Sequence, residues 1–368
     1  MKVAVITRHA ITNYGSILQS IATQKMISKL GHSSVIINYI REDENYKNHE
    51  KTLLNRKSSW NNNFFKRTIY LILRQPFSVY SGKRFEKYQK DYLKLTDLCT
   101  NKNEIENECT DVDVFMTGSD QVWGPMENGE YDDAYCLSFV GNNKKKIAYA
   151  ASLGRTDMND DLRSYFKHWL SRYTKIAVRE DSAVEILDSL GIQADQVLDP
   201  TLMLGRDEWK EFLDKDFNKG KYILVYQLHN DEKLSTYAKK VSEKTGMPLI
   251  RISASFHQLL RGGKFPYLPT INEFLSYIDN AECLITDSFH GTAFAINLNT
   301  TFVEVLPNNK TGTRNLSILR LTHLEDRILT DINDVGLAKN KIDYTKVNKI
   351  LKEKQIESMK ILKNMIED

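Results

Sequence analysis

Short runs of apolar, often β-branched residues alternate with amphipathic stretches along this chain, and the alternation starts twice. VAVIT (3–7) precedes the helical pattern SILQSIATQKMISKLG (16–31), and SVIINY (34–39), VFMTGSD (114–120), KIAYAAS (146–152) and KIAVRED (175–181) follow as strands. Strands this uniformly apolar are shielded on both faces, and strand–helix alternation builds parallel sheets covered by helices. KIAVRED leads into the helix DSAVEILDSLG, with Asp181 as its N-cap. Around Gly205–Gly220 the chain turns polar, and DKDFNKGK reads as a linker. The pattern then restarts with KYILVYQLH (221–229), the helix DEKLSTYAKKVSEKTG (231–246), PLIRIS (248–253), CLIT (283–286) and TFVEVL (301–306). TKVNKILKEKQIESMKILKNMIE (345–367) is a long amphipathic helix. The expectation is an α/β protein of two Rossmann-like domains, 1–210 and 218–340, with an interdomain cleft and a C-terminal helix at 341–368.

Residues 42–110 do not follow the alternation and read as an insertion in the first domain. Between Trp60 and Phe85 there are several basic residues and no acidic one, interleaved with aromatic and aliphatic side chains. Two readings stand. A helical insertion could cap the N-terminal sheet with its apolar face buried, or a basic amphipathic element could rest on anionic lipid. The first is preferred, because core helices outnumber membrane-docking ones.

Bulk properties exclude several classes. A net charge of +3 over 368 residues does not suit a general nucleic-acid binder. Cys99, Cys109, Cys136 and Cys283 lack the spacing of a zinc or redox motif, which suggests buried thiols in a reducing compartment. No apolar run reaches the roughly 18 residues of a spanning helix, and the opening MKVAVITRHA is no signal peptide. The expected location is cytoplasmic, and only the lipid-docking reading of 60–85 adds peripheral contact at the inner face of a membrane. GxGxxG, GxxxxGK, HExxH and GxSxG patterns are all missing, so nicotinamide, P-loop, zinc-protease and serine-hydrolase chemistry lose support.

Polar residues gather instead where strands end. CLITDSFHGTAFAINLN (283–299) turns from strand to helix at Ser288, His290, Gly291 and Thr292. Amides at such a helix start, with the helix dipole, favour an anion. Gly291 would let a ligand approach the backbone, and His290 would add a cation or a proton. An N-cap beside an incidental histidine explains the same residues equally well. Arg179 ends another strand, where a guanidinium can grip a carboxylate or phosphate, or pair internally with Glu180, Asp181 or Glu185. In MTGSDQVWGP, residues Ser119, Asp120, Gln121 and Trp123 combine hydroxyl, carboxylate, amide and indole, which suits a sugar as well as it suits a turn with Trp123 in the core. The loop TRHAITNYGS offers Arg8, His9, Asn13 and Tyr14, and VYQLHND offers Gln227 and His229.

Six stretches in this order resemble the polysaccharide pyruvyl transferase family: NYGSILQSIATQ (13–24), TGSDQVW (117–123), YAASLG (149–154), AVREDSAVEIL (177–187), VLDPTLML (197–204) and ITDSFHGTAFAINLN (285–299). The resemblance implies a fold similar to the GT-B glycosyltransferases. It implies phosphoenolpyruvate as donor and a hydroxyl pair of a cell-surface glycan, or its lipid-linked precursor, as acceptor, giving a pyruvate ketal. In the family the arginine of the VRE motif and the histidine of the SFHG motif serve donor binding and catalysis, which carry over to Arg179 and His290. On this expectation Arg179, Ser288, His290, Gly291, Thr292 and His229 bind the donor, and Asn13, Tyr14, Ser119, Asp120, Gln121 and Trp123 bind the acceptor. His290 serves as general acid and Asp120 as base. The scheme needs no metal or cofactor. The rivals are a transferase using a nucleotide-activated sugar, for which Glu304 is an acidic candidate to grip the ribose, and a non-catalytic glycan- or anion-binding protein.

Overall fold

The computed structural model describes residues 1–55, 57–126, 128–307 and 312–368. Among these, ten strands form two sheets in which every pairing is parallel. The first holds β1 (Lys2–Ile6), β2 (Ser33–Ile36), β3 (Val114–Thr117), β4 (Lys145–Ala151), β5 (Lys175–Val178) and the two-residue β6 (Asp195–Gln196), in the order β2-β1-β3-β4-β5-β6. The second holds β7 (Ile223–Tyr226), β8 (Leu249–Ile252), β9 (Cys283–Thr286) and β10 (Phe302–Glu304), in the order β10-β9-β7-β8. Several of the ladders stop before the apolar run that announced them does. VFMTGSD forms a regular ladder only to Thr117; beyond it the pairing continues as a single bridge between Asp120 and Ala151.

Each sheet has one place where the chain reverses its direction of travel. From β1 it runs outward to β2 and then crosses back to β3, so the carboxyl ends of β1 and β3 adjoin. In the second sheet β7 lies between β8 and β9, and the ends of β7 and β9 adjoin. Helices leave such a switch point on opposite faces, which opens a crevice at the strand ends.

The chain divides into one unit of Met1–Pro200 with Met359–Asp368, and a second of Thr201–Ser358. The boundary therefore falls at Pro200 rather than beyond 210. Trp209 explains this: it is fully buried against Phe294 (ring centroids 5.1 Å apart) and its Nε1 donates to the Thr201 carbonyl at 2.9 Å. Asn297 Nδ2 donates to the carbonyls of Thr201 and Leu204 at 2.9 and 2.8 Å. The last helix, Tyr344–Glu367, is not a separate element but supplies residues to both units. In the first unit Lys145 Nζ donates to the Ile366 carbonyl at 2.9 Å.

Residues 42–110 are helical, dominated by the helix Phe64–Tyr92 with Pro76 inside it. Its final third packs on the first unit, where Phe85 meets Tyr14 at 5.1 Å and Gly82 lies so close to the Tyr46 ring that a Cβ would overlap it. Before Ser81 most of the apolar side chains lie outside, so the preferred reading of a buried apolar face is corrected for that part. Among the described residues no helix is long and apolar enough to cross a membrane.

Candidate active site

In the first unit, the ends of β1, β3 and β5 bring together residues far apart in sequence. Asp120 has φ 75°, a left-handed backbone that Asp tolerates better than most residues but that still carries strain. Its Oδ2 accepts from Ser16 Oγ at 2.6 Å and its Oδ1 from the Gln121 amide at 2.9 Å. Ser16 is held in the first turn of the helix Tyr14–Lys29, whose N-cap is Asn13, accepting from the Gly15 amide at 2.8 Å.

Arg179 lies just past β5 with a buried side chain. Its Nη1 donates to Asp199 Oδ2 at 2.9 Å, its Nη2 lies 3.6 Å from Asp120 Oδ1, and its Nε lies 3.5 Å from Glu180 Oε2. Desolvation opposes the guanidinium charge, but the three carboxylates outweigh it and its pKa is raised. Each carboxylate has further donors. Ser119 Oγ reaches Asp199 at 2.7 Å, and Ser152 Oγ and the Leu153 amide reach Glu180 Oε1 at 2.7 and 3.1 Å. The internal ion pair thus forms with Glu180 as one partner, but its closest partner is Asp199. Asp181 instead accepts from the Ser182 amide at 2.8 Å, and Glu180, not Asp181, occupies the N-cap position. Three carboxylates already compensate this guanidinium, which leaves it little charge to offer a doubly charged anion.

Two expected acceptor residues belong to the core. Tyr14 is fully buried beside Phe85. Trp123 is buried too, its Nε1 donating to the Tyr135 carbonyl at 3.2 Å and its ring edge-on to Tyr173. Neither presents a face to a sugar, which corrects both expectations. Gln121 is half-buried and packs over the backbone of Gly154. His9 is fully buried between the Thr7 carbonyl and Asn38 Oδ1, both 3.1 Å away, and burial lowers its pKa. Arg8 pairs with Glu44 at 2.5 Å.

In the second unit, Asp287 follows β9 and ties down the loop after β7. Its two oxygens accept from the amides of Leu228 (2.7 Å) and His229 (2.9 Å), and His229 Nδ1 lies 3.3 Å away. Ser288 caps the helix Phe289–Leu298: its Oγ accepts from the Gly291 amide at 3.3 Å and its carbonyl from the Thr292 amide at 2.9 Å. Those two amides are engaged within the cap, so the expected anion cradle from Gly291 and Thr292 is corrected. A Cβ at Gly291 would press on Thr286 Oγ1 and the Tyr226 ring. The glycine seats the helix on the strands rather than admitting a ligand. His290 is buried in the first turn, edge-on to Phe289 at 5.2 Å.

Thr292 Oγ1 bonds Glu304, whose other oxygen accepts from Asn315 Nδ2 at 2.7 Å. Burial pushes the Glu304 carboxyl up to about 8. Fully buried and engaged, Glu304 is not placed to grip a ribose. Arg251, in β8, is buried as well, donating to Gln227 Oε1 (2.9 Å) and Ser235 Oγ (3.2 Å). Among the described residues it has no carboxylate ion-pair partner. Desolvation, and then the neighbouring Arg261, lower its pKa to about 10, which keeps it charged at neutral pH.

The sequence reading passed over Ser16, Asp199, Asp287 and Arg251. Asp199 stands inside VLDPTLML and Asp287 inside ITDSFHGTAFAINLN, where sequence alone assigns neither a role. An arginine interrupting the apolar PLIRIS was the available signal for Arg251.

Two parallel α/β units, each with polar residues at its switch point, define a fold of the GT-B kind. Methanocaldococcus jannaschii UDP-GlcNAc 2-epimerase, solved with UDP-GlcNAc and UDP, superposes with a TM-score of 0.53 at 15% identity, covering 96% of this chain and 99% of that one. The S. aureus MnaA-UDP co-structure gives 0.50 at 12% identity, covering 100% and 98%. At such identities the likeness shows the fold alone. No curated protein matches the sequence. The family model for polysaccharide pyruvyl transferase matches residues 13–310, and the chain belongs to that family.

Proposed function

We propose that the chain moves the enolpyruvyl group of phosphoenolpyruvate onto a hydroxyl pair of a cell-surface glycan or its lipid-linked precursor. One contrast supports this reading beside the family match: the buried arginines of the two units keep different company. The second unit holds a buried guanidinium, Arg251, without a carboxylate partner, in the sheet whose ends carry His229 and His290. A buried cation of this kind favours a multiply charged anion. The first unit holds three carboxylates around one guanidinium, an arrangement that favours taking a proton from a neutral hydroxyl.

The chemistry assigns roles. C3 of the donor gains a proton to become methyl, leaving an oxocarbenium-like C2. One glycan hydroxyl adds to C2, the C–O bond to phosphate breaks, and the second hydroxyl closes the ketal. The two hydroxyl protons end on C3 and on phosphate. His290 supplies the proton to C3 or to the departing phosphate, and Asp120 takes a hydroxyl proton. Arg179, surrounded by carboxylates, keeps Asp120 ionised and in place rather than clamping the donor.

The test measures phosphate release from phosphoenolpyruvate, together with a new pyruvate methyl group on the glycan, against soluble and lipid-linked acceptors. The expected result is one phosphate per ketal, reduced at least ~100-fold in His290→Ala. Turnover of a nucleotide sugar in place of phosphoenolpyruvate would overturn the proposal. Binding of phosphoenolpyruvate without turnover on any acceptor would make the chain a binding protein.

A further inference from the structure

The helix Phe64–Tyr92 carries a face that its own unit does not cover. At 100° per residue, Phe65, Ile69, Ile72, Leu73, Pro76 and Tyr80 fall in one stripe, while Ser81, Phe85 and Gln89 point the other way, into the unit. Phe65 is 76% exposed, Ile72 65% and Leu73 63%, and the adjoining Phe64 is 75% exposed. A contiguous apolar stripe of this kind in water marks an interaction surface.

Charge indicates what covers it. Residues 51–85 contain eight Lys or Arg and no Asp or Glu, although the whole chain carries only +3. Lys83 falls within the stripe, and Lys66 and Arg84 lie along its edge. Large apolar side chains flanked by cations match an anionic bilayer, with rings and aliphatics at the acyl boundary and cations among the phosphates. A second copy would bring two like-charged segments together, which electrostatics disfavours. We propose that this face docks the protein on an anionic lipid surface, the helix lying in the interface plane. The proposal rests on the helix alone and not on the transferase reading.

The full chain is sedimented with vesicles of phosphatidylcholine alone, and with vesicles in which about one-third is phosphatidylglycerol. The expected result is binding at least ~10-fold stronger to the anionic vesicles, weakened by salt. Binding should fall at least ~10-fold in Phe65→Ser/Ile72→Ser and also in Lys66→Glu/Lys83→Glu. These side chains are exposed, so an unchanged melting temperature shows that the variants fold. Equal binding to both vesicle types, or none, overturns the proposal. So does a dimer in sedimentation velocity that Phe65→Ser/Ile72→Ser dissociates, which would give the face to a second copy. Phosphate release with a soluble acceptor is read separately, so either proposal can fail without the other.

Discussion

Replacing Glu304 by Gln should change how stability depends on pH more than it changes stability itself. The carboxyl is fully buried, and its pKa rises from 4.5 to about 8, chiefly by desolvation. The folded protein therefore binds a proton at Glu304 that the unfolded chain has released. Stability from this group is complete below pH 4.5, declines as pH rises, and is gone above about 8. A shift of this size makes the loss between pH 5 and 7 about 2 kcal/mol. Gln reproduces the neutral acid: its carbonyl can accept from Asn315, and its amide can donate to Thr292 Oγ1, leaving the Thr292 proton for the Ser288 carbonyl at 3.2 Å. Hydrogen exchange of peptides spanning β9 and β10, followed from pH 5 to 7 and corrected for intrinsic exchange, reads this locally. Wild type should lose protection by about 2 kcal/mol relative to Glu304→Gln. Parallel pH profiles would refute a neutral buried carboxyl at this position.

Three further outcomes follow from the same geometry. Arg179→Ala leaves Asp120, Glu180 and Asp199 without their cation and should cost the first unit about 3–5 kcal/mol in urea melts, whereas Arg179→Lys should fold. In Arg179→Lys the thermal shift with phosphoenolpyruvate should persist while kcat falls; loss of the shift would return Arg179 to the donor. Asp120→Asn keeps a residue that tolerates φ 75°, so it should fold normally and lose at least ~100-fold in kcat with donor KM unchanged; wild-type kcat would remove Asp120 from the chemistry. Arg251→Met removes a buried cation that lacks a carboxylate partner, so stability should hold or rise. Donor KM should increase at least ~10-fold, and an unchanged KM would move the anion elsewhere.

The sequence was informative about the site in proportion to how local each residue's partners are. Ser288 caps the helix three residues ahead of Gly291, a relation visible along the chain. The partners of Arg179 were less legible: Glu180 is adjacent, but Asp199 is 20 residues on and Asp120 arrives from another strand. Trp123 looked as suited to a sugar as to the core, and the choice between them depended on Tyr135 and Tyr173 surrounding it. The helix at 64–92 misleads for the same reason, since nothing along the chain tells an apolar stripe that faces the unit from one that faces water.

Alternating periodicity and strand-end punctuation are properties of neighbouring residues, and they determined two parallel α/β units with polar residues at the strand ends. The tertiary structure decided which of those side chains are buried, which charges neutralise one another and which apolar face meets water. Burial and pairing depend on residues far apart in the chain, as Ser16 and Asp120 are, 104 positions from one another. Desolvation acts on the assembled neighbourhood, not on the order of residues along the chain.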